Sequence, residues 1–254
     1  MVKMSSVISN TPWLRSLGRS FLAWRDDRVA VKIWKTLSIT VGFFAFLHLI
    51  VIFIASGRGG IFPDRVVLFF DLGNDGSLPE IFNYGMLFLS ATLLMAVNFE
   101  TGSRIAALFG VLMAFVWMDD SAQYHERMGR VIANGLNMPP AFGLRADDLG
   151  ELIAWSIIFI VLCVMSIWAR RNVRPGDKRV LFLMLPPLCT LFVCGVVFDM
   201  INIIIDGPIS NVVLTVMEDG GEMLAIAWAA AVSLYILRNT TIVFNKHERM
   251  SPAM

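Results

Sequence analysis

The sequence predicts an all-α fold, a polytopic membrane protein with six transmembrane helices. Of its 254 residues 57% are apolar and only 16% are charged, and mean hydropathy is +0.69. A soluble domain of this length needs far more polar surface. The apolar residues also fall in blocks near the ~20 residues that cross a bilayer as a helix. Lys and Arg gather in alternate connections, which an even number of spans places on one side.

Residues 1–33 carry no apolar core followed by a small-residue cleavage site, so they do not read as a secretory signal. Thr11-Pro12 reads as a helix cap followed by proline at the first helical position. Trp13, Leu17, Phe21 and Trp24 then recur at helical spacing, with Arg15 and Arg19 off that stripe. This predicts a cytoplasmic amphipathic segment, lying on the membrane surface or serving as a docking arm for a membrane-complex partner. Residues 34–238 make the transmembrane domain and 239–254 a cytoplasmic tail.

The first span is expected from Trp34 to Ser56 and contains His48. A loop rich in Gly, Pro and Asp follows. The second span runs from Glu80 to Asn98, and Phe99–Ser103 is a tight turn. The third runs from Arg104 to Glu126, with a loop over 129–145. The fourth covers Asp147–Ala169 and is followed by a basic loop at 170–179. The fifth covers Val180–Asp206, with Pro186-Pro187 expected to kink it. The sixth runs from Val212 to Leu237.

Lys3, Arg15, Arg19, Arg25, Arg28, Lys32 and Lys35 precede or open the first span. Arg104, the 170–179 loop and the tail (Arg238, Lys246, Arg249) fall on the same side if six helices cross. Only Arg58, Arg65, Arg127, Arg130 and Arg145 fall on the other. Both termini are therefore expected in the cytoplasm, with the protein in the inner membrane if the cell is bacterial. A net charge of +1 gives no electrostatic footprint for nucleic acid, and the expected partner is the bilayer. Cys163, Cys189 and Cys194 all lie in apolar runs and read as small core residues rather than a disulfide framework.

An internal repeat is legible. Asp147-Asp148-Leu149-Gly150-Glu151-Leu152-Ile153-Ala154 opens the fourth span, and Glu218-Asp219-Gly220-Gly221-Glu222-Met223-Leu224-Ala225 lies near the start of the sixth. Each octet follows a span with acids near its outer end. The hairpins of spans three–four and five–six read as two copies of one unit, an arrangement that often frames a polar site.

The polar residues converge on the outer half. Helical spacing puts Asp119, Gln123 and Glu126 on one face, and Asp199, Asn202 and Asp206 on another. Asp148 pairs with Glu151, and Glu218 with Glu222. His125 sits one residue off the face of Asp119, and His48 lies in the outer half of its span. Carboxylates in a dry space hold protons or surround a cation. The candidate metal-binding set is Asp119, His125, Glu126, Glu151, Asp199, Glu222 and His48, which suits divalent zinc, iron or manganese. Acids at helix ends also have a purely structural use, since Asp147, Asp148, Glu218 and Asp219 near N-termini gain from the helix dipole.

The pattern Asp119-Asp120, four residues, His125-Glu126, followed later by Glu218-Asp219-Gly220-Gly221-Glu222, resembles a family of uncharacterised multi-spanning bacterial membrane proteins. The likeness covers residues 104–238 and implies no activity. The di-metal pattern of paired Glu-x-x-His is absent, as is the third histidine of ceramidase-type hydrolases, because His247 falls on the opposite side. The functions left open are a metal site with or without catalysis, a proton- or cation-coupled transporter, and a non-catalytic subunit of a membrane complex.

Overall fold

The computed structural model describes residues 12–57, 64–205 and 207–244. Among them six helices are long and apolar enough to cross a membrane. The chain runs α1 (Pro12–Asp26), α2 (Arg28–Gly57), α3 (Asp64–Phe70), α4 (Leu78–Thr101), α5 (Arg104–Ala122), α6 (Tyr124–Gly135) and α7 (Ala146–Ala169). A 3₁₀ turn, Arg170–Asn172, leads to α8 (Pro175–Phe192), a π-helical segment (Val193–Phe198), α9 (Asp199–Ile204), α10 (Pro208–Arg238) and α11 (Thr240–Phe244). The proposed amphipathic stripe lies partly outside the described side chains, as do Thr11, Asp206, Lys246, His247 and Arg249.

The sixth span is the axis of the bundle. Over an apolar stretch of 18 residues, 67% is buried in α10 against 11% in α7. Its inner residues are mostly small: Ala225, Ala227, Ala229, Ala230 and Ala231 are all nearly inaccessible. Small side chains let α2, α4 and α8 pack closely on it. Close approach is what holds membrane helices together, because lipid tails solvate apolar surface as well as protein does. Elsewhere the helices expose Phe43, Phe53, Phe88, Phe159, Ile160 and Val164, as lipid-facing helices must.

One end of the bundle is basic and is tied by polar contacts. Asp27 Oδ1 accepts from Val29 N and Ala30 N at 3.0 and 2.9 Å and so caps α2. The same carboxylate meets Arg238 at 3.3 Å and Asn239 at 3.1 Å, joining the start of the first span to the end of the last. Arg174 donates to Thr101 O at 2.6 Å, and Ser103 to Asp177, locking two connections together. Trp24 of α1 is buried against Trp34 and Trp228, so that part of the N-terminal segment docks within its own chain.

The other end carries the departures from the sequence reading. The third span stops at Ala122, where Gln123 takes a left-handed conformation (φ 50°), and α6 then runs through the first part of the expected 129–145 loop, to Gly135. The 57–78 connection contains the short α3. Pro186-Pro187 lie inside α8, which stays helical to Phe192; the irregular stretch is the π segment beginning at Val193. The octet of the sixth span sits three turns into α10, so Glu218 and Asp219 are not at a helix N-terminus. Only Cys194 is buried; Cys163 and Cys189 lie on exposed helix faces.

Candidate functional site

A cavity of about 380 Å³ opens among α4, α5, α6, α7, the π segment, α9 and α10 at the end opposite the basic connections. Its walls are acidic. The connection before α4 contributes Asp75, and α4 contributes Glu80. Asp120 closes α5 and Glu126 opens α6. Glu151 comes from α7, Asp199 from α9, and Glu218, Asp219 and Glu222 from consecutive turns of α10. Against these acids the described lining supplies His125 and Arg145 as basic groups.

The break at Gln123 sets the first wall. With the chain turned there, His125 N donates to Asp119 Oδ1 at 2.9 Å, and His125 Nδ1 lies 2.9 Å from Asp119 Oδ2. Asp119 is fully buried behind the ring and does not line the cavity. With Nδ1 engaged, the ring's other nitrogen is the one left for a ligand. The ring packs beside Trp155 at 5.5 Å between centroids. Burial works against the imidazolium, but the Asp119 hydrogen bond and charge, with Glu151 and Glu126 nearby, outweigh it and raise the His125 pKa above its ordinary value.

Close approaches of glycine seat two of the glutamates. Gly129 of α6 crosses Gly150 of α7, and a Cβ on Gly129 would meet Glu151 N at 2.8 Å. Gly195, in the π segment, makes the same kind of approach to α10. A Cβ there would fall on the Glu222 carboxylate, and one on Gly221 would meet Cys194 Sγ at 2.5 Å. Asp199, immediately after the π segment, lines the cavity with Glu218, which accepts from Asn202 Nδ2 at 3.0 Å.

The 71–77 connection covers part of the cavity: Leu72, Gly73, Asn74 and Asp75 all line it. His48 holds this cover from below. Its Nδ1 lies 3.1 Å from Asp71 Oδ1 and 3.2 Å from Leu72 N. The contact with His48 keeps the Asp71 carboxyl below its usual range in spite of burial. Asp75 accepts from Gln123, and Tyr84 donates to Glu80 and reaches Asp120 O at 3.2 Å. Asn83 is 6% exposed, lines the cavity, and has an Oδ1 with no hydrogen-bond partner.

Of the expected set, His125, Glu126, Glu151, Asp199 and Glu222 therefore share one cavity. Asp119 braces His125 from behind, and His48 braces the cover. Asp148 is drawn away: Arg145 folds back on it with Nη2–Oδ1 at 2.6 Å, and it accepts Arg145 N at 2.8 Å as a helix cap. Glu80, Asn83, Asp120 and Asp219 reach the cavity although they stood outside the candidate metal-binding set. The available signal was their position, each near the same end of an apolar span. Among the described residues no three His, Cys, Asp or Glu side chains converge closely enough to hold a metal ion as they stand.

No curated protein and no solved structure is significantly similar to the chain. One family model matches residues 34–236, which takes in the whole cavity and all of the six spans but the start of the first and the last two residues of the sixth. The chain belongs to the family described as Domain of unknown function (DUF8692).

Proposed function

We propose that this membrane protein presents its acidic end to the outside of the cell and binds a cation there in exchange for protons. The orientation follows from Lys and Arg at the opposite end. The observation that supports cation binding is the imbalance inside one cavity: carboxylates from the cover and every wall, two basic groups, and the buried, unpartnered Asn83 Oδ1. Arg145 is already engaged by Asp148. Two like charges 4 Å apart at an effective dielectric constant of 20 repel by about 4 kcal/mol. The cavity therefore holds protons when empty and releases some of them when a cation enters.

A divalent metal is one form of this proposal. His125, braced by Asp119, would be the nitrogen ligand, with Glu126, Glu151, Asp199 and Glu222 as the carboxylates that swing onto the ion. Zinc, iron or manganese suits that mixture. With such an ion bound, a hydrolytic role for its water is open to the same residues. Transport is a second reading, favoured by the π segment that interrupts the fifth span beside Asp199. The internal duplication belongs here too. It is supported by the matched placement of Glu151 and Glu222, each entering the cavity next to a glycine crossing.

The test is proton release. Purified protein in weakly buffered neutral detergent is mixed with Mn²⁺, Zn²⁺ or a simple ammonium ion, and the pH change is read. We expect acidification that saturates and falls by half or more in the Asp199→Asn, Glu222→Gln double variant. If none of these cations binds and no protons are released, the proposal fails. Flux into liposomes driven by a pH gradient, and abolished by Asp199→Asn, separates transport from binding alone.

A further inference from the structure

The cavity has an apolar flank. One wall is α7, which packs on α5 and α6. The facing wall is the π segment with α9, which pack on α10 and α8. α7 and α8 are consecutive spans joined by a short connection, yet neither packs along the other. Between the two walls stand Leu152 and Trp155 on one side and Val196, Met200 and Ile203 on the other, all half-buried and all lining the cavity. Next to them are side chains exposed on the outside of the bundle: Phe159 on α7, Val197 and Ile204 on the opposite wall. In a bilayer this strip faces lipid, and it leads from lipid to Glu151, Asp199 and Glu222.

We propose that the natural ligand is a membrane amphiphile with an ammonium head, which enters between α7 and α9 and places its nitrogen among the cavity acids while its chain lies along the apolar strip. This rests on the cation reading and names the class of cation. The cavity volume lies in the range of small-molecule sites, far above that of a bare ion. An ammonium group offers several N–H donors and needs acceptors spread around it. The dispersed carboxylates and the buried, unpartnered Asn83 Oδ1 supply acceptors of that kind. Trp155 adds an aromatic ring at the junction of acid and apolar surfaces, where a cation or its first methylenes can lie. A water-borne cation would use the acids alone and would have no use for the apolar strip.

The experiment uses the full chain in phosphatidylcholine nanodiscs, with radiolabelled dodecylamine as the probe and empty discs as the background. Butylamine tests the head without the chain, and dodecanol the chain without the charge. We expect saturable dodecylamine binding at one per chain, competed at least tenfold more weakly by butylamine and not by dodecanol. Met200→Trp fills the strip and should weaken dodecylamine at least tenfold. The chain-length comparison needs no variant, so it stands even if Met200→Trp folds poorly. Butylamine binding as tightly as dodecylamine overturns the lateral route and the amphiphile, with the cation reading untouched. Mn²⁺-driven proton release without any amine binding overturns the ammonium assignment alone. Absence of both removes the cation reading and this inference together.

Discussion

Gly150 and Gly195 are both places where a Cβ does not fit, but what each would strike differs. At Gly150 the obstacle is the Gly129 backbone, which cannot rotate away. At Gly195 it is the tip of the Glu222 side chain, which can. Gly150→Ala should therefore destabilise the protein by about 1–3 kcal/mol as α6 and α7 are forced apart. Gly195→Ala should leave the melting temperature nearly unchanged and instead displace the Glu222 carboxylate, cutting cation-driven proton release by half or more. Thermal melting and the proton-release assay, run on both variants, check the contrast. The two histidine–aspartate pairs differ in sign. The His125 pKa is raised above 6.5, so the Asp119 contact stabilises fully below that pH and is lost as pH rises through the folded value. The Asp71 pKa is lowered below 3.8, so its contribution is present above that pH and is lost as pH falls through the folded value. Melting curves against pH should show the alkaline loss disappear in His125→Gln and the acid loss shrink in Asp71→Asn.

At the scale of the element, the π segment decides the direction of Asp199. A π turn adds a residue relative to an α-helix, and each added residue rotates the remainder of the helix by about 100°. Deleting Val197 should restore an α-helix through the stretch, with the shortfall absorbed in the connection after Ile204. Asp199 then leaves the cavity wall, and cation-driven proton release should fall at least as far as in Asp199→Asn. An unchanged release would mean that the irregular turn has no part in the site. The same element shows where sequence reasoning stops. Pro186-Pro187 is visible as a helix breaker, but the irregularity appears at Val193, where Gly195 and Cys194 meet α10. Tertiary packing, not local propensity, puts it there. Gln123 is a second case: its left-handed turn brings His125 back to Asp119, whereas an unbroken helix would have kept Gln123 with Glu126 on one face.

For the whole molecule the testable quantity is orientation. Cys163 and Cys189 lie on exposed faces within spans and Cys194 is buried, so a charged maleimide should find none of them in an intact membrane. Asn74→Cys, on the cavity cover, should react in intact cells. Val173→Cys, in the basic connection, should react only after permeabilisation. The reverse pattern would put the cavity on the cytoplasmic side and undo the proposed orientation. The number of crossings, their order and the acidic character of one end were all legible in the sequence, because a bilayer demands long apolar helices and makes each charge near their ends stand out. Which acids share a space was legible only in part: Glu126, Glu151, Asp199 and Glu222 meet as expected, while Asp119 stays behind His125 and Glu80, Asp120 and Asp219 join them. Asp148 and Glu151 are three residues apart in one octet, yet Arg145 claims the first as a cap while the second enters the cavity. Helical periodicity gives the face of each helix but not its neighbour. Only the packing of α7 against α6, and of the π segment against α10, selects the carboxylates that meet.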